Sequence, residues 1–296
     1  MDYKIDDGRT EVDVEASSEA VNAKTRFIES GDRRIAYRSI GKGLPIILVN
    51  RFRGNLDTWD PGFLDALSSK FNIIIIDYSG IGLSTGPCAA DILSMAIDVK
   101  NVAEALKLTK IIIAGWSLGG LVAQTVITQY PELVSHAILI GTTPPGKNTS
   151  IPEKLFWERA LKTTNDLDDG YVLFFEPQSE SSKNAARLSF GRIAKRTEDL
   201  DTPVSKECYG NQQKAIDDFR QDKYDTLGKL KRSKIPILVF MGDHDICFHV
   251  ADWYPLIGNL LSTQLIVMPQ AGHGVQHQYP VLAAKYITDF IQGSFS

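Results

Sequence analysis

The chain has 296 residues, 43% hydrophobic and 23% charged, an ordinary globular composition with room for one large domain or a core plus an accessory part. A net charge of −4, with no basic run interleaved with aromatics, argues against nucleic acid as a partner. The longest apolar runs, at 73–76 and 235–238, are far too short to cross a bilayer, so no membrane partner is expected.

Residues 1–24 are acidic and lack the apolar segment of a secretory signal, and read as a disordered lead-in to a cytoplasmic protein. Cys88, Cys208 and Cys247 show no paired spacing, which fits free thiols in a reducing compartment. No cysteine or histidine pair has zinc-knuckle spacing; His244 and His249 are close but read as loop histidines, so no metal site is expected.

The segment "RRIAYRSIG" (33–41) alternates like a strand, and "LPIILVN" (44–50) is a buried, β-branched one. "FNIIIIDYSG" (71–80), "KIIIAGWS" (110–117), "HAILIGTT" (136–143), "IPILVFMGD" (235–243) and "TQLIVMP" (263–269) follow. Between them, 92–108 and 118–131 place apolar residues at helical intervals, and 280–293 opens on proline and closes on glycine. Strands this continuously apolar suit a parallel sheet covered on both faces, so the alternation predicts a doubly wound, mostly parallel α/β sheet. From 144 to 234 no buried strand is evident, only amphipathic segments such as "EKLFWERALK". The expected organisation is therefore a core of 25–143 and 235–296 with a helical cap at 144–234.

Within the core, Gly115-Trp116-Ser117-Leu118-Gly119 fits G-x-S-x-G at a strand-to-helix junction. A sharp turn there exposes the serine oxygen above the carboxyl edge of the sheet, and the glycines remove side chains that would collide with backbone. No lysine follows the glycines, so a phosphate loop does not fit. A serine hydroxyl needs a base, and the base needs a carboxylate. In this architecture both belong on loops leaving later strands. Asp245 in "GDHDIC" and His273 in "PQAGHGV" occupy those loops, giving the chain order Ser117, Asp245, His273. His277 lies toward the last helix, His136 starts a strand, and His244 and His249 flank the acid. Asp243 directly follows the strand and is expected to point elsewhere. The backbone N–H groups of Leu118, at a helix start, and of Phe52, after an earlier strand, are the expected oxyanion donors.

These motifs resemble the α/β-hydrolase superfamily over roughly residues 24–293. The elbow "GWSLGG", the turn "DYSGIGLS" (77–84), the acid loop "GDHD" and the histidine loop "AGHG" are similar to family motifs in family order. "RFRGNLDTWDP" and "GWSLGG" look most like small capped esterases and cofactor-free haloperoxidase-like hydrolases. Members usually carry His-Gly where this chain has Asn50-Arg51, which puts the path of the oxyanion loop in question. Salt bridges from Arg51 and Arg53 are the expected means of holding it.

The resemblance implies hydrolysis of an ester, lactone or related acyl substrate through an acyl-enzyme, with no metal and no organic cofactor. The partner is then a small-molecule acyl substrate. Trp116, Trp59, Phe156 and Trp157 are candidate pocket residues, with Phe174 and Phe175 nearby, although core packing would also account for such aromatics. Three other readings stay open: a cofactor-free perhydrolase or haloperoxidase-like enzyme, a carbon–carbon bond hydrolase, and a ligand-binding, receptor-like protein with little turnover, which Arg51 would favour.

Overall fold

The computed structural model describes residues 18–147 and 149–293. Eight strands form one sheet in the order β1-β2-β4-β3-β5-β6-β7-β8. They are β1 (Arg26–Ser30), β2 (Arg33–Ile40), β3 (Pro45–Val49), β4 (Asn72–Ile76), β5 (Ile111–Trp116), β6 (Val134–Ile140), β7 (Ile237–Gly242) and β8 (Thr263–Met268). β1 and β2 are antiparallel additions at one edge, and β3 to β8 run parallel.

The isoleucine-rich runs become central strands because both their faces are buried. Ile47, Val49, Ile74, Ile76, Ile113, Leu139 and Val239 pack on one side, against the helices Ile92–Ala105 and Leu118–Gln129. Ile46, Leu48, Ile73, Ile75, Ile112, Ile138 and Leu238 pack on the other, against Pro61–Ser68 and Pro280–Gly293. Side chains alternate across a strand, so each run serves two cores at once.

Between β6 and β7 the described residues hold only helices: Lys154–Ala160, Leu167–Phe174, Glu180–Ile193, Lys206–Arg220 and Thr226–Arg232. Serine or aspartate caps three of them, with Asp166, Ser179 and Ser205 each accepting a backbone N–H in the first turn.

Two expectations change. Disorder over residues 1–24 does not extend to 18–24: Glu19–Asn22 is a helical turn, Asp65 accepts the Ala20 N–H, and Arg196 donates to the Val21 and Ala23 carbonyls. Residues 1–17 lie outside the described residues. The cysteines are not all free. Cys88 and Cys208 form a disulfide with Cα atoms 5.5 Å apart, and only Cys247 is a buried thiol. The pair is 120 residues apart in sequence and meets because the helix Lys206–Arg220 lies over the loop after β4, so no local spacing could signal it. The sequence ground for a reducing compartment is correspondingly weaker. Among the described residues, no helix is long and apolar enough to cross a membrane.

Candidate active site

Ser117 sits between β5 and the helix Leu118–Gln129 with φ 60° and ψ −120°, a conformation most side chains avoid. Its surroundings hold it there. The Ser117 N–H donates to the Ile140 carbonyl at 2.9 Å, and the Thr142 hydroxyl donates to the Ser117 carbonyl at 2.9 Å. A Cβ on Gly115 would lie 2.0 Å from the Gly119 carbonyl oxygen, and one on Gly119 would lie 2.1 Å from that of Val49. The glycines are thus required by close backbone approach. The Gly119 contact also sets the start of the helix against the end of β3, beside the loop that carries Phe52.

Asp245 and His273 come together as the sequence suggests. Asp245 Oδ2 accepts from His273 Nδ1 at 2.8 Å, and both side chains are buried. Asp245 Oδ1 accepts the N–H groups of Cys247 at 2.8 Å and Phe248 at 3.0 Å. Those two donors were not foreseen, although an aspartate bonding backbone two residues on is a known turn habit. With Nδ1 committed as donor to the carboxylate, Nε2 is the imidazole's free base. The Trp116 indole N–H donates to the His273 carbonyl at 2.8 Å, and the Gly274 N–H donates to the Phe174 carbonyl at 2.6 Å. The histidine loop is therefore tied both to the sheet and to the inserted helices. Ser117 and His273 line the same cavity, and among the described residues no hydrogen bond joins their side chains.

The rival groups are occupied elsewhere. Asp243 is bonded to His244 and to the Ala271 N–H. His136 packs edge-on against Phe290. His277 accepts the Asp60 N–H through Nε2 at 3.2 Å and lies 4.6 Å from the Trp116 ring. Burial pushes its pKa down to about 4; Arg51 and Arg192 add to the shift, and Asp60 opposes it.

The Phe52 and Leu118 N–H groups have no protein acceptor among the described residues, and Phe52 and Ser117 both line the cavity. Arg51 does not have a positive φ, so an L residue occupies the usual glycine place without strain. The expected salt bridges are not what holds this loop. Arg51 Nη1 donates to the Phe52 carbonyl at 2.8 Å, and the guanidinium stacks over Phe174 at 4.5 Å and Trp116 at 5.3 Å. Arg53 donates to the Ala160 and Lys162 carbonyls and lies over Tyr209. Carbonyls and ring faces do the work expected of carboxylates because the neighbouring helices present their ends and aromatics here.

Two cavity lobes meet at Ser117. One, of about 440 Å³, is lined by Arg51, Arg53, Phe174 and His273 among others; the second, of about 770 Å³, includes Trp157, Leu161, Tyr209 and Phe248. Phe52 and Phe156 line both. Of the four aromatic pocket candidates, Phe156 and Trp157 are therefore in place, whereas Trp59 and Trp116 line neither lobe. Trp116 alternates with Ile112 and Ala114 onto the opposite face of β5, where it packs on Trp59. Phe175 also turns away, into a cluster with Tyr171 and Ala186.

With this geometry in view, comparison with known proteins is direct. The family model for the alpha/beta hydrolase fold matches residues 45–280. A Bacillus subtilis protein named "putative 2-succinyl-6-hydroxy-2,4-cyclohexadiene-1-carboxylate synthase" is 26% identical over 83% of this chain and 89% of its own. The pimeloyl-[acyl-carrier protein] methyl ester esterase of Nitrosomonas europaea is 26% identical over 83% of this chain and 95% of its own. Among solved structures, an alpha/beta hydrolase fold protein from Chitinophaga pinensis superposes with a TM-score of 0.82 at 29% identity, covering 94% of this chain and all (100%) of that one. The chain belongs to the α/β-hydrolase family and is one of its enzymes.

Proposed function

We propose that this protein hydrolyses an ester, lactone or related acyl substrate through Ser117, His273 and Asp245. The observation that carries the reading is the buried bond from His273 to Asp245, set beside a serine held in a strained turn at the floor of the cavity. His273 Nε2 takes the Ser117 hydroxyl proton as Oγ bonds to the substrate carbonyl carbon. The Phe52 and Leu118 N–H groups receive the resulting oxyanion. The imidazolium, stabilised by Asp245, passes its proton to the leaving alcohol as the tetrahedral adduct collapses to an acyl-enzyme. Water, deprotonated by the same nitrogen, then releases the acid and restores Ser117. The helices from Lys154 to Arg232 act as a cap, since they supply Phe156, Trp157 and Phe174 to the cavity walls.

The test is hydrolysis of p-nitrophenyl esters from acetate to decanoate. Turnover by the wild type should fall about 10⁴-fold or more in Ser117→Ala, and the best chain length should report the size of the acyl lobe. Equal activity in both proteins, or none in a folded wild type across the whole series, would count against this reading.

A further inference from the structure

Arg51 is not accounted for by the reaction just described. Its guanidinium lies in the wall of the smaller lobe, beside Ser117 and His273, with no carboxylate paired to it among the described residues. One face rests on Phe174 and Trp116, and Nη1 is spent on the Phe52 carbonyl. Nε is sealed from any water-sized probe and has no partner, whereas Nη2 is reachable and meets no protein acceptor. A buried donor without an acceptor is costly. Arg53, lining the same lobe, adds a second positive charge, and its own bonds are to neutral carbonyls. Asp166 at the rim is exposed and accepts the Asp169 N–H.

The Nη2 end of a guanidinium presents charged N–H donors that a carboxylate oxygen accepts in a short, strong bond. Contacts with two rings and the bond to the Phe52 carbonyl hold the guanidinium in place in advance, so little freedom is lost on engaging a ligand. We infer that the substrate carries a carboxylate, seated in the smaller lobe on Nη2 of Arg51, with its apolar remainder in the larger lobe. Arg51 is then a specificity-determining residue. Burial and Arg53 push its pKa down to about 9, which still leaves it cationic at neutral pH. This inference rests on the serine-hydrolase reading for its chemistry but not for the binding of the anion.

The experiment pairs esters that differ by one charge: mono-4-nitrophenyl glutarate against 4-nitrophenyl pentanoate, and 3-carboxy-4-nitrophenyl butyrate against 4-nitrophenyl butyrate. The first pair places the carboxylate on the acyl side and the second on the leaving phenol. At least one carboxylated ester should exceed its neutral partner by about 10- to 100-fold in kcat/KM, the range expected for a charged hydrogen-bonded pair. Arg51→Met should erase that ratio, and Arg51→Lys should keep part of it. A ratio near one, or favouring the neutral ester, in both pairs overturns the inference using the wild type alone. Calorimetric titration of glutarate into Ser117→Ala separates the two claims. Binding that Arg51→Met removes, with no ester hydrolysed by wild type, would leave the anion site standing and defeat the hydrolase reading. Hydrolysis without charge preference and without glutarate binding would do the reverse.

Discussion

At the end of β5, position is set by backbone against backbone. Gly115, Gly119 and the carbonyl of Val49 lie so close that a methyl group has no room, and Ser117 is held by bonds to Ile140 and Thr142. The helices between β6 and β7 join the sheet by backbone bonds such as that from Gly274 to Phe174 and otherwise by side chains reaching across. Arg192 makes two parallel bonds to the buried Asp60, at 2.8 and 2.6 Å, and Arg53 reaches the carbonyls of Ala160 and Lys162. Within the inserted helices, Asp169 collects Arg159 and Lys162. The contrast suits the two tasks: a nucleophile needs one geometry, whereas the walls around a substrate can be rebuilt by exchanging side chains without disturbing the sheet.

The comparison predicts an ordered set of losses. Gly119→Ala should be the most damaging, since a rigid carbonyl lies where the methyl group would go. A destabilisation beyond about 3 kcal/mol is expected by chemical denaturation; a near-neutral effect would mean that the elbow yields more easily than the contact implies.

His277 links the two regions, lying between the Asp60 turn and Trp116. Its imidazole is neutral in the fold, while the unfolded chain takes up a proton below the ordinary value of 6.5. Stability due to this group is therefore complete above pH 6.5, declines as pH falls, and is gone below about pH 4. Between those limits, about 3 kcal/mol of the difference in unfolding free energy between wild type and His277→Gln should disappear. A constant difference across that range would contradict the assignment.

Arg192→Met should cost about 2 kcal/mol, less than a fully buried pair because the arginine is 28% exposed while Asp60 is sealed. Thermal melting would measure it, and unchanged stability would remove this bridge as an anchor of the inserted helices. Lys154→Ala, which breaks only the exposed pair with Glu158, should change stability by less than about 0.5 kcal/mol.

The same division separates what the sequence discloses from what it conceals. The central strands are legible because burial on both faces leaves unbroken runs of isoleucine. The elbow is legible because only glycine survives such close approach. Asp245 and His273 could be found because each directly leaves a recognisable strand. The edge strand β1 is not legible, since only Ile28 and Ser30 of its five residues are buried and its pattern is faint. The helix Pro61–Ser68 has eight residues, too short a stretch for its buried Phe63, Leu64 and Leu67 to stand out as a pattern. The contacts of Arg51, Arg53, Arg192, Cys88 and Cys208 depend on which surfaces meet after folding, and no local pattern carries that information. Trp116 is a misleading pocket candidate because nearness to Ser117 in sequence does not decide which face of the strand its ring takes, and Trp59 packs on Trp116 on that far face.

The central claim is that Ser117 is made nucleophilic by His273. Labelling with a fluorophosphonate, followed by proteolysis and mass spectrometry, tests it without knowledge of the substrate. The account predicts a single adduct on Ser117, formed rapidly by wild type and at least about 10³-fold more slowly by His273→Ala. An adduct at another residue, or equal labelling of both proteins, would contradict it.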